Sequence, residues 1–165
     1  MSDKPILFLD VDGVLNCFDE SKGVLIHPET PNRACVPHGT DLRLSQLALN
    51  FEIVWATAWF GAAHRAFKEH LGLPEQPWEF LRWNQYKLTE ILKFAGNRPW
   101  AWADDDIQYE LNGLGWIPPE RFLPDNSLLV GVEPNTGLSD DDVNSLLDFA
   151  YNNTPVKPDE TEVIG

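Results

Sequence analysis

The sequence predicts an α/β fold built on one doubly wound, mainly parallel sheet. Two observations carry that expectation. Four short apolar runs, Ile6 to Leu9, Ile53 to Ala56, Trp100 to Ala103 and Leu128 to Val132, lack polar alternation and read as strands covered on both faces. Segments of helical period separate or follow them, and such alternation implies right-handed crossovers between parallel strands.

The elements follow in chain order. After the first strand, Phe18 to His38 is rich in proline, glycine and charge and reads as a flap, a short hairpin turning at Lys22-Gly23. A helix is expected from Asp41 to Leu49, then the second strand, then a helix from Ala62 to Leu71 closed by Gly72 and Pro74. Trp78 to Leu81 reads as a further short strand. Beyond Lys87, Leu88, Ile91, Leu92 and Ala95 fall at i, i+3, i+4 and i+7, and Val143, Leu146, Leu147 and Ala150 repeat the spacing. Ser139 is the expected N-cap of that last helix, with Asp140, Asp141 and Asp142 favouring its dipole. Residues 1–151 thus form one Rossmann-like domain carrying the flap 18–38, and 152–165, with few apolar residues and no period, read as a disordered tail.

Composition bounds the function. With 165 residues, 43% hydrophobic, the chain can bury one substantial core. No segment approaches the roughly 20 apolar residues that span a bilayer, and no cleavable leader is evident, so a soluble, cytoplasmic protein is expected without a membrane partner. A formal charge of −14 opposes attraction to long nucleic acid or anionic lipid, though a local positive pocket stays open to an anion. Two cysteines, Cys17 and Cys35, are too few for a disulfide scaffold and fit a reducing compartment.

Ligands of open α/β sheets bind beyond the carboxyl ends of the strands. The residues there are Asp10, Thr57, Asp104 and Glu133. Asp10 and Asp12 flank Val11, and in extended geometry both side chains point to one side. Asp104 and Asp105 come to the same edge, so four carboxylates are expected in one pocket. Such a set is costly unless a divalent cation lies among them, and magnesium takes oxygen ligands of this kind. Gly13 then lets the chain turn away.

In "DVDGVLN" the first strand ends in a pattern that resembles the first motif of the haloacid-dehalogenase superfamily of phosphotransferases. "VWATAW" is similar to the second motif, with Thr57 at the strand end, a lysine before the next helix to the third, and "AWADDDI" to the fourth. The four occur in family order over residues 6–106, and the strand and helix near the C-terminus extend the resemblance to about residue 150. The run from Lys87 through "RPWAWADDD" to "EPNTGLSDDDV" further resembles a small branch without a cap domain, related to the Swiss Army Knife RNA-repair-like domains. Residues 13–56 and 58–103 leave little room for a lid at either usual insertion point.

The resemblance implies a magnesium-dependent phosphomonoester phosphatase. Asp10 is then the nucleophile that forms an aspartyl phosphate, and Asp12 the acid and base for the leaving oxygen and the water. Thr57, with the N–H groups that follow it at Ala58, binds phosphate next to Gly13. The metal ligands are Asp10, the Asp12 backbone carbonyl and the acidic pair, with Asp105 direct and Asp104 direct or through water. Asp106 is expected to cap the next turn. Lys87 is preferred to Lys93 as the motif lysine on geometry, because Lys93 lies about 140° from Leu88 around a helix and faces solvent.

The substrate expected is a phosphorylated small molecule or nucleotide. A polynucleotide end-phosphatase or nucleotidase is the enzymatic alternative, and a phosphate-binding module without turnover the other. Cys17, His27, Cys35 and His38 are zinc-ligand types at a spacing that matches no compact knuckle, so reduced cysteines are expected. His64 and His70 read as helix-surface groups. Trp55, Trp59, Trp78, Trp83, Trp100 and Trp102 read mostly as core, with Trp59 and Phe18 either packing or lining the pocket mouth.

Overall fold

A computed structural model describes residues 3–28, 33–114 and 124–155. Four strands, β1 (Ile6–Leu9), β4 (Glu52–Trp55), β5 (Trp100–Asp104) and β6 (Ser127–Gly131), form one parallel sheet in the order β4-β1-β5-β6. A separate antiparallel pair joins β2 (Gly23–Ile26) to β3 (Ala34–Pro37). The protein is therefore α/β, with a mainly parallel sheet flanked by helices.

The central strands are apolar throughout, except for Asp104 at the end of β5, because both faces are covered. Leu7, Leu9, Ile53, Trp55, Ala101 and Ala103 pack into one core with α1 (Thr40–Asn50), α2 (Ala62–Leu71) and α5 (Asp140–Asn152). Ile6, Phe8, Val54, Trp100 and Trp102 pack into a second with α3 (Lys87–Ala95) and α4 (Ile107–Gly113). Phe8, Trp55, Trp100 and Trp102 are wholly buried. Truncating such a side chain costs ~3–5 kcal/mol, so these strands cannot slip without losing most of the fold's stability.

Helix ends follow their local chemistry. Ser139 and Asp142 form a reciprocal capping box at the start of α5, as their spacing implies, and Gly72 closes α2 in the left-handed conformation. Helix α4 was not anticipated beyond a turn.

Two expectations need correction. The hairpin does not turn at Lys22-Gly23. Asp19 instead caps a 3-10 turn over Glu20–Lys22, and Gly23 opens β2 opposite Pro37, with Ile26 opposite Ala34 at the other end of the pair. Within the flap, β3 is buried against the main core and β2 exposes Val24 and Leu25. Trp78 to Leu81 makes one bridge rather than a strand: Trp55 N–H donates to the Glu79 carbonyl, and Leu81 N–H to the Trp55 carbonyl.

Between β1 and β4 the described residues hold only the 3-10 turn, the hairpin and α1, and between β4 and β5 only α2, a connecting loop and α3. The tail expected after Asn152 lies mostly outside the described residues. Among the described residues, no helix is long and apolar enough to cross a membrane.

Candidate active site

Strand order decides which strand ends meet. Because β1 lies between β4 and β5, the residues after these three strands share one edge, and Asp10, Thr57 and Asp104 come there from distant parts of the chain. Asp10 N–H continues the ladder by donating to the Ala103 carbonyl at 3.1 Å, which holds the carboxyl beside Asp104.

Lys87 opens α3 and is buried under that edge. Its Nζ lies 2.7 Å from Asp104 Oδ2 and 3.3 Å from Asp10 Oδ1. Lys93 is exposed and pairs with Glu90, so the helical geometry that separated the two lysines holds. Asp104 is the most heavily tethered carboxylate, accepting also from Trp102 Nε1 at 3.2 Å and from Asp106 N–H at 2.8 Å. Asp106 occupies the position before α4, yet its side chain caps nothing. It is the Asp104 carboxylate that fastens this turn, which corrects the expected role of Asp106.

Ligand oxygens of Asp10, Asp104 and Asp105 all lie within 4.8 Å of one another. Three carboxylates facing one ammonium leave an excess of two negative charges, and the ionisations respond to it. Burial first, then Asp104, raises the Asp10 carboxyl well above the ordinary carboxylate range, against Lys87 and the Val11 N–H. Burial lowers the Lys87 ammonium, but Asp10 and Asp104 outweigh it and hold it above its ordinary value. Burial, then Asp106 and Asp104, pushes Asp105 up to about 6.

A stability change with pH follows. A carboxyl raised in the folded state contributes stability below its unfolded value near 3.8, and that contribution is lost as pH rises through the folded value near 6. Protein stripped of divalent cations is expected to lose stability from about pH 4 to about pH 6, with millimolar magnesium reducing the loss. Urea midpoints across that window, with and without magnesium, provide the measurement. A midpoint that rises with pH in chelator would contradict the charge excess.

Gly13 makes the carboxylate cluster possible. Its φ is +82°, and a Cβ there would lie 2.5 Å from Asp105 Cγ and Oδ2, so any side chain would displace the third carboxylate. The Asp12 carboxylate, however, is not in the cluster. The chain leaves the extended conformation at Val11, whose carbonyl accepts from Val14, Leu15 and Asn16 N–H. Asp12 is consequently exposed, with Oδ1 accepting from Asn16 Nδ2 at 2.9 Å and Oδ2 from Trp59 Nε1 at 3.1 Å. Its backbone carbonyl and N–H have no hydrogen-bond partner among the described residues.

Thr57 is buried, and its Oγ1 accepts from Trp59 N–H at 3.2 Å. Ala58 is exposed, and its N–H has no partner among the described residues. Two unpaired amides, at Asp12 and Ala58, therefore accompany Lys87 as donors available to an anion.

Several residues of this region carried no expectation. Glu110 on α4 accepts from Leu88 N–H at 3.0 Å and so caps the helix that Lys87 opens. Burial raises its carboxyl, opposed by that N–H and by Lys87. Asn16 donates to Asp12 and accepts from Cys35 N–H at 2.8 Å, tying β3 to the loop. Asn16 closes the first motif, which was a signal. Glu110 had none, since its partner is 22 residues away.

The remaining candidates stand apart from the cluster. Glu133 is exposed, and among the described residues its carboxylate accepts from the Asn135 N–H, while its backbone carbonyl accepts from Thr136 and Gly137 N–H. Cys17 and Cys35 are buried free thiols with sulfurs 3.4 Å apart, and neither His27 nor His38 joins them in a metal-binding group among the described residues. Phe18 is exposed, whereas Trp59 contacts Asp12 at the site. His64 is not a surface group. It is buried, its Nδ1 accepting from Trp55 Nε1 and Trp78 N–H and its Nε2 donating to the Pro74 carbonyl at 2.8 Å, which fixes the neutral tautomer. No protein-family model, curated protein sequence or solved structure matches the chain.

Proposed function

We propose that this protein is a magnesium-dependent phosphomonoester phosphatase of the haloacid-dehalogenase type, on a doubly wound Rossmann-like sheet without a cap domain. One observation carries the reading: Lys87 bridges Asp10 and Asp104 of a three-carboxylate cluster, at the sheet edge where the loops after β1 and β4 carry unpaired amides at Asp12 and Ala58. The donor set fits a hard divalent cation, with hard oxygens converging and a charge excess of two to neutralise. Asp10, Asp105, Asp104 and the Asp12 carbonyl would hold it. When bound, such an ion neutralises and orients the phosphoryl oxygens.

The chain's own residues supply the rest. Asp10 Oδ1 is occupied by the Val11 N–H at 2.8 Å and by Lys87. Its carboxylate attacks phosphorus, the phosphorus–oxygen ester bond breaks, and Asp12 protonates the departing alcohol. Water then attacks phosphorus of the aspartyl phosphate while Asp12 takes its proton, the bond from phosphorus to the Asp10 oxygen breaks, and inorganic phosphate leaves with Asp10 restored as a carboxylate. Asn16 and Trp59 hold the two Asp12 oxygens outside the three-carboxylate cluster, and one of these bonds must yield for each proton transfer. Lys87 and the amides at Asp12 and Ala58 offset charge on the phosphoryl oxygens.

The test is hydrolysis of an aryl phosphate with magnesium and in excess chelator. Turnover is expected only with the cation. Equal rates in chelator would overturn the reading.

A further inference from the structure

The carboxylate cluster borders an aromatic surface that the phosphoryl chemistry leaves unused. Past Thr57 the chain presents Phe60, whose φ of +51° makes it the one non-glycine residue with positive φ among those described. The loop before α3 approaches from the other side. There Trp83 meets Phe60 with ring centroids 5.3 Å apart, and the Arg82 guanidinium carbon lies 5.5 Å from the Phe60 centroid and 5.1 Å from that of Phe80. Gly61 permits this approach, since a Cβ on it would lie 3.0 Å from the Phe80 ring.

This surface is continuous with the cluster. Lys87 Nζ lies 5.0 Å from the Trp83 centroid on one side and 3.3 Å from Asp10 on the other. Phe60 and Trp83 are half-buried and Arg82 is exposed. In a chain with 26 acidic side chains against 12 basic ones, Arg82 has no carboxylate partner among the described residues. Core packing alone does not require a cation without a carboxylate partner on these half-buried rings.

We propose that Trp83, Phe60 and Arg82 bind the leaving group of the substrate, and that this group is a nucleoside. A base stacks on the aromatic surface, and Arg82 receives a further anionic group such as a second phosphate. Trp83 contacts both Lys87 and Phe60, so the surface runs from the carboxylate cluster through Trp83 to Phe60 and Arg82. The inference rests on the phosphatase reading and selects among its substrates a phosphomonoester on a nucleoside, either free or at a polynucleotide end.

The deciding comparison is kcat/KM for adenosine 5′-monophosphate against ribose 5-phosphate, which share the leaving oxygen and differ by the base. The nucleotide is expected to be preferred by about tenfold or more, as one stacked base implies. Phe60→Leu and Trp83→Leu should each pull the ratio toward one, whatever they do to absolute rates. Arg82→Gln, an exposed change that spares folding, should lower kcat/KM for adenosine 3′,5′-bisphosphate more than for the monophosphate. A 5′-phosphorylated oligonucleotide at low and high salt separates the sources: preference over the mononucleotide assigns a polynucleotide end, and the opposite preference a free nucleotide. A wild-type ratio near one, a ratio unmoved by both aromatic variants, or an equal response from phosphotyrosine would overturn the proposal.

Binding of the same ligands to Asp10→Asn protein by calorimetry separates the two ideas. If no phosphomonoester is hydrolysed, yet the variant binds adenosine monophosphate more tightly than ribose 5-phosphate and loses that preference on Phe60→Leu, the phosphatase reading fails and the nucleoside surface stands. If ribose 5-phosphate is hydrolysed and bound as well as the nucleotide, the nucleoside surface fails alone.

Discussion

Asp10→Asn protein is expected to lose aryl phosphate turnover by about 10⁴-fold or more while becoming more stable in chelator. The two effects share a cause. Asparagine lacks the anionic oxygen that forms the phosphorus bond, and loss of a covalent nucleophile costs several orders of magnitude in kcat. It also removes one of three carboxylates that crowd a single ammonium in a buried site, where burial and Asp104 already disfavour the charged form. The amide oxygen can keep the bond from the Val11 N–H, so the loop need not move. Single-turnover rates with magnesium, and urea midpoints without it, measure both effects. Retained turnover would remove Asp10 from the nucleophile role. A lower midpoint would mean that Lys87 depends on Asp10 more than the carboxylates repel one another.

Lys87→Ala should lower kcat by about 10²–10³-fold, the cost of deleting one donor to a developing oxyanion. Stability should fall too, because Asp104 and Asp10 would keep their burial without the ammonium, and breaking a buried pair in this way costs ~3–5 kcal/mol. Lys93→Ala is the control. That side chain is exposed and pairs with Glu90 three residues earlier, a contact worth a few tenths of a kcal/mol, about 0.2–0.5. Steady-state kinetics on all three proteins, with circular dichroism to verify folding, decides the matter. A folded Lys87→Ala protein with full activity, or loss of activity confined to Lys93→Ala, would show that the catalytic cation lies elsewhere.

Much of the architecture was legible in the sequence because it is encoded over short distances. The apolar runs that become β1, β4, β5 and β6 carry their own evidence of being covered on both faces, and the structure keeps each within one residue of the expected start. The 100° step of a helix was sufficient to bury Lys87 and expose Lys93, and Ser139 was legible as the N-cap of the last helix, to which the structure adds the reciprocal bond from Asp142.

The tertiary structure decided which side chains meet. Val11 carries the chain out of the strand, so Asp12 faces Asn16 and Trp59 while Asp10, Asp104 and Asp105 converge. His64 reads by residue type as a helix-surface group, yet it lies on the buried face of α2 with Phe67 and Leu71, where Trp55, Pro74 and Trp78 supply its partners. Glu110 caps α3 from another helix, and Phe60 meets Trp83 and Arg82 across a gap of more than twenty residues. Periodicity and capping are set by neighbours within a turn or two of the chain. Contacts of this second kind depend on strand order and on how loops close, and no local pattern of residues specifies either.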